Sequence, residues 1–184
     1  MDRVSGYATL TLEIHMRLLL PFLIASSLAT SVFAQEAQPQ NTPPSPSISE
    51  RIGDWRYLCF GPETDRECGA VQVQVNEREQ RVLEARLVNV NGNDVALLLI
   101  LPLGINLREG AGISVDGEAL GTAGFDVCTP EGCQVLVVPS PDEMTKFKKG
   151  IEATISVVAG GNNRVAIPLS LKGFTASEKK LREN

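Results

Sequence analysis

The chain has 184 residues, of which 43% are hydrophobic and only 5% aromatic, so any packed core rests mainly on Val, Leu, Ile and Ala. With 17 basic and 22 acidic residues the formal net charge is −5. That balance excludes a general attraction to nucleic acid or to anionic lipid, both of which bind through clustered Lys and Arg.

Residues 18–28 read LLLPFLIASSL, preceded by Arg17 and followed by TSVFA at 30–34. A positive start, an apolar middle and small residues at Val32 and Ala34 make a secretory signal over residues 1–34, cleaved after Ala34. Met16 serves as an alternative start, because Asp2 and Glu13 are foreign to the basic leading part of a signal. The apolar run is short for a bilayer, which needs about 20 residues, so no membrane span is expected after cleavage. The chain's single His, His15, leaves with the signal. The exported part then has no imidazole, the commonest general base and neutral metal ligand.

Residues 35–51 form a Pro/Gln/Ser-rich linker with little to bury. The folded domain is expected over 52–184. Its first strand is 54–60 (DWRYLCF). Residues 70–75 (AVQVQV) alternate apolar and polar, as a half-buried strand does. A strand at 81–88 follows, then a turn at Asn91-Gly92-Asn93-Asp94. Residues 95–103 (VALLLILPL) are continuously apolar and predict a strand covered on both faces. Further strands are expected at 113–115, ahead of an Asp116-Gly117 turn, and at 134–138, 151–159 and 164–171. The last two are joined by the Gly-Gly-Asn-Asn turn at 160–163. Ser140-Pro141-Asp142-Glu143 carries a capping Ser, a Pro at the first helical position and an acid three residues after the cap. It predicts a helix stopped by Gly150. Thr175-Ala176-Ser177-Glu178 repeats the capping logic for a short C-terminal helix. Many short strands and one or two short helices predict a mainly β, antiparallel sandwich or barrel-like single domain.

Cys59, Cys68, Cys128 and Cys133 all lie in the exported part, and an even count there points to disulfides. Pairing Cys59 with Cys68 and Cys128 with Cys133 brackets two loops rich in turn formers, FGPETDRE and TPEG. Such short loops gain about 2–3 kcal/mol on closure; a crossed pairing would close a loop of about 70 residues for about 4 kcal/mol, so energetics alone leave both open. A four-cysteine zinc site lacks the usual short spacing on one half, and neither pair is the C-x-x-C of redox enzymes.

The remaining candidates read mainly as structural. Glu63, Asp65 and Glu67 offer alternate oxygens but lack the glycine and distal Glu of a calcium loop. Trp55 reads as core packing beside a disulfide rather than a ligand platform. Lys146, Lys148 and Lys149 compensate a helix dipole. No Ser-His-Asp set, phosphate loop or carboxylate pair is present, so no catalytic residue, cofactor or metal is expected.

Four segments, GDWRYLC (53–59), LPLGINLREG (101–110), FDVCTPEGC (125–133) and LSLKGF (169–174), resemble the invasion-associated locus B family of exported Gram-negative proteins in order and spacing. The resemblance runs from Gly53 to the C-terminus. It implies a β-sandwich-like domain that is periplasmic, secreted or surface-associated, with a role in host-cell entry for some members and no catalytic set to carry over. The matched segments read as structural: Trp55 and the cysteines in the core, LPLG as a buried strand and its exit, Gly173-Phe174 as a strand end. The expected function is a non-enzymatic binding or accessory module with an envelope or host-surface protein as partner. The alternatives are a structural stabiliser of the envelope and a small envelope enzyme working without His.

Overall fold

The computed structural model describes residues 44–92 and 94–184, which fall within one compact unit, Thr42–Asn184. The signal segment and most of the linker lie outside the described residues. Two antiparallel sheets pack face to face. The larger has the order β1 (Ile48–Ile52), β2 (Trp55–Phe60), β3 (Glu67–Val75), β4 (Arg81–Val90), β5 (Asp94–Leu101), β9 (Gly132–Val137), β8 (Val127–Thr129). The smaller has β11 (Asn163–Ser170), β10 (Glu152–Ala159), β6 (Ala111–Val115), β7 (Glu118–Ala123). Helix α1 (Pro141–Lys149) links β9 to β10, and α2 (Phe174–Arg182) ends the chain. The fold is thus a mainly β, sandwich-like single domain.

Strand alternation builds the core. Trp55, Tyr57 and Cys59 of β2, Leu83, Ala85 and Leu87 of β4, and Val95, Leu97, Leu99 and Leu101 of β5 point inward. Ile155 of β10 and Leu169 of β11 meet them from the smaller sheet. Each fully buried Leu or Ile contributes about 1.5–3 kcal/mol of transfer free energy. The helices close one end. Phe174 of α2 stacks on Phe147 of α1 with centroids 5.5 Å apart and makes a T-shaped contact with Trp55 at 5.9 Å. The Trp55 indole N–H donates to the Ser170 carbonyl at 3.1 Å, which satisfies the one polar atom of a buried ring.

The two outermost motifs, GDWRYLC and LSLKGF, meet in space. Asp54 N donates to Lys172 O (2.9 Å), and the Ser170 hydroxyl donates to the Asp54 carboxylate (2.7 Å). Gly53 and Gly173, both at positive φ, pass so closely that a Cβ on Gly173 would sit 2.0 Å from Ile52 O.

Several expectations need correction. The linker does not run to residue 51: Ile48–Ile52 pairs with β2, and Ile48 and Ile52 pack on the core. The Ser and Pro around it hide a five-residue strand with an apolar residue at each end. Thr175 does not cap α2. The helix starts at Phe174 behind Gly173 at φ 94°, with no side-chain cap, and the Thr175 hydroxyl donates instead to Lys148 O at the end of α1. Gly173-Phe174 is therefore a helix entry and not a strand end. Gly150 follows α1, with extended backbone (φ −72°) and not the left-handed turn of a C-terminal glycine stop. Its missing side chain is required by packing, since a Cβ there would lie 2.4 Å from Val115 Cγ1. The Ser140–Glu143 capping box of α1 forms in full.

Candidate interaction surfaces

The cysteines staple two neighbouring-strand pairs. Cys59 and Cys68 are directly opposed on β2 and β3, and Cys128 and Cys133 on β8 and β9; each pair is disulfide-bonded, with Cα atoms 4.0 and 3.9 Å apart. With every thiol consumed, none is left to bind a metal or attack a substrate. Trp55 is fully buried and packs against Phe174. Among the described residues no group of three or more His, Cys, Asp or Glu is arranged to hold a metal ion, the Glu63–Glu67 loop included. Two of the three lysines of α1 do more than face the helix dipole. Lys146 pairs with Glu118 at 2.6 Å, and Lys148 pairs at 3.0 Å with Glu178, a carboxylate buried between the helices.

Glu178 is the most enclosed charge of the domain. Burial pushes its pKa up, but hydrogen bonds from Arg182 and Lys148 outweigh that and hold it below the ordinary Glu value. Glu84, on the outer side of β4, is held below its usual value in the same way: burial raises it, while Arg86 and Arg81 lower it further.

The outward side of the larger sheet is the unusual surface. On β3 the alternation is inverted relative to ordinary burial. Gln72 faces the core at 6% exposure, and Val73 faces solvent at 48%. Two constraints set this register. Cys68 lies opposite Cys59, and Gln72 hydrogen-bonds both backbone groups of Ser170 on β11. The valines are thereby left on the outer face.

Cross-strand pairing assembles that face into rows. One runs Arg51, Arg56, Val71, Arg86, Leu98, Leu136 across six strands. The next runs Ser49, Leu58, Gly69, Val88, Ala96. A third runs Val73, Glu84, Ile100, Gln134, Val127. Gly69 leaves a depression between Leu58 and Val88. Two shallow hollows of ≈ 420 and ≈ 340 Å³ open here, the first beside Arg51, Arg56 and Val73, the second beside Phe60, Gly69 and Val88. Exposed Phe60, Val73, Val127 and Leu136 share the face, while Ala96, Ile100 and Glu84 in the same rows are covered. Apolar side chains interleaved with the arginines of the middle row give this face the character of a docking surface.

No motif in the sequence marks these residues as a surface. Their trace in the sequence is that β2 and β5 carry apolar residues on both parities, with Leu58 and Phe60 beside Trp55 and Tyr57, and Leu98 and Ile100 beside Leu97 and Leu99.

Residues 55–182 match the family model for Invasion associated locus B (IalB) protein. The chain belongs to the IalB family. The match spans β2 to α2 and so takes in both sheets. Among relatives, two invasion protein B homologs, from Brucella abortus strain 2308 and from Brucella abortus biovar 1 strain 9-941, are each 30% identical over 138 residues, covering 74% of this IalB-family chain and 80% of the relative. In structure the chain resembles the crystal structure of invasion associated protein B from Bartonella henselae. The TM-score is 0.66 at 22% identity, over 73% of this chain and 95% of that one. That likeness establishes the IalB sandwich fold. Among the described residues, no helix is long and apolar enough to cross a membrane.

Proposed function

We propose that this chain is an exported, non-enzymatic binding module of the bacterial envelope that docks another protein on the outer face of its larger sheet. The carrying observation is the inverted β3. A strand that turns glutamine inward and valine outward sacrifices local burial, and such local conflicts concentrate at functional positions. The two disulfides suit a compartment outside the reducing cytoplasm. The arginines of the central row would orient a partner, and the surrounding Leu58, Val71, Val73 and Leu136 would supply its apolar contact. The Brucella relatives carry the name of invasion proteins; for this chain a part in host-cell entry would be played through the same docked partner.

The test places a photo-crosslinking amino acid at Val73 or Phe60 in the native bacterium and, as controls, at exposed Lys179 and Glu183. One reproducible protein adduct from the sheet-face positions and none from the controls is the expected result. Adducts of equal pattern from both sets would overturn the assignment of the face.

A further inference from the structure

A second surface borders that face at the corner where β7 and β9 run close together. Residues 110–145 supply β6, β7, β8, β9 and the first turn of α1. They contain Asp116, Glu118, Asp126, Glu131, Asp142 and Glu143 and no Lys, Arg or His. Two cations reach the segment from outside it: Lys146 pairs with Glu118, and Arg81 donates to the Glu131 carbonyl. The corner therefore carries an excess of carboxylates, whereas Arg51, Arg56 and Arg86 gather on the other half of the larger sheet.

The sheet edges differ in the same place. Proteins blunt exposed edges with charge, Pro or shortness. Edge strand β1 carries Glu50 and Arg51; β11 carries Arg164 and a central Pro168; β8 has three residues and is clamped by a disulfide. Edge strand β7 reads EALGTA, and from Ala119 to Ala123 it has neither charge nor Pro. It carries one bulge: Ser114 pairs with Ala119 and Ile113 with Gly121, so Leu120 is the extra residue. A bulge re-aims a side chain, and here Leu120 lines a groove of ≈ 290 Å³ beside Thr122, Leu136, Val138, Glu143 and Phe147. Across the groove the Asp126 carboxylate accepts the Leu136 N–H at 2.8 Å, where a longer β8 would otherwise pair.

An unblunted strand edge, an apolar groove alongside it and an excess of carboxylates around both make a receptor for an extended basic chain. We propose that β7 binds an extended, Lys/Arg-bearing segment of a partner protein by strand addition. The segment's backbone pairs with residues 119–123. An apolar side chain enters the groove beside Leu120 and Leu136, and its cations face Glu118, Asp126 and Glu143. This site adjoins the outer sheet face, with Leu136 at the border between them.

The test uses the protein purified from isotope-labelled cells of its own bacterium. Two extended peptides are titrated in, one alternating Lys with Val and one alternating Glu with Val, with backbone amide shifts as readout. The basic peptide is expected to bind saturably, to shift amides at 119–123, and to weaken about tenfold as salt is raised. The double substitution Ala119→Lys/Thr122→Lys, on two exposed side chains, should weaken it by a similar factor, with thermal unfolding as the check that the variant folds. Equal response to the acidic peptide, shifts confined to the Val71–Val73 face, or no saturation would overturn the proposal. Concentration-dependent dimerisation lost in the double variant would also overturn it, by assigning the edge to a second copy of the chain.

Discussion

Gln72 makes a complete strand-like pair with Ser170 across the sandwich: its Nε2 donates to the Ser170 carbonyl at 3.1 Å, and its Oε1 accepts from the Ser170 N–H at 2.9 Å. The same carbonyl also accepts from the Trp55 indole. A side chain of β3 thus serves as the missing neighbour of the last residue of β11 and ties the two sheets together. Replacing Gln72 with Leu would leave the Ser170 N–H without its partner in a part-buried site. The expected cost is about 1–3 kcal/mol, read as a lower urea midpoint at unchanged slope.

The Lys148–Glu178–Arg182 cluster makes stability depend on pH. The folded-state pKa of Glu178 is below its unfolded value. A group shifted that way stabilises the fold above the unfolded pKa and loses the contribution as pH falls through the folded pKa. The loss therefore lies on the acid side, below the ordinary Glu value of about 4.3. In Glu178→Gln the acid limb of a stability-against-pH curve should flatten, with about 1–3 kcal/mol lost at neutral pH. An unchanged acid limb would show that other carboxylates govern it.

Gly173 and Gly117 separate backbone strain from collision. Both lie at positive φ, 94° and 84°, but only at Gly173 would a Cβ meet backbone, 2.0 Å from Ile52 O, whereas at Gly117 it meets nothing within 4 Å. Gly117→Ala should cost about 1 kcal/mol from backbone conformation alone. Gly173→Ala must add displacement of the β1–β2 turn and is expected to cost at least about 2–3 kcal/mol. Chemical denaturation of the two variants side by side measures the difference.

Each disulfide closes a short loop, with sequence separations of 9 and 5. Replacing Cys59 and Cys68 together by Ser, or Cys128 and Cys133 together, should lower stability by about 2–3 kcal/mol per pair on the chain-entropy model. The Cys59–Cys68 pair also helps fix the β2–β3 register. Its removal should therefore raise hydrogen exchange along β3 more than removal of Cys128–Cys133 does.

Much of the fold can be read from the sequence because turns and periodicity are local. Asn91, Gly92, Asp116 and Gly117 take the positive φ that Asn-Gly and Asp-Gly turns demand. The apolar run of β5 lies inside the larger sheet, between β4 and β9. Strand β7 is hidden because Ala, Gly and Thr carry little strand signal. Strand β1 is hidden by its Ser- and Pro-rich surroundings. The docking face is not readable at all without register. Alternation has a period but no sign, so AVQVQV gives a strand without saying that Gln72 goes in and Val73 goes out. The deciding contact, Ser170, lies 98 residues away.

The most direct measurement for the whole account is in-cell photo-crosslinking from Val73, repeated with Arg56 and Arg86 replaced by Glu. One partner protein captured from the unaltered face, and its loss when the arginines are reversed while the domain stays folded, is the result expected for a docking face. Capture that survives the reversal, or only abundant envelope proteins in every sample, would contradict it.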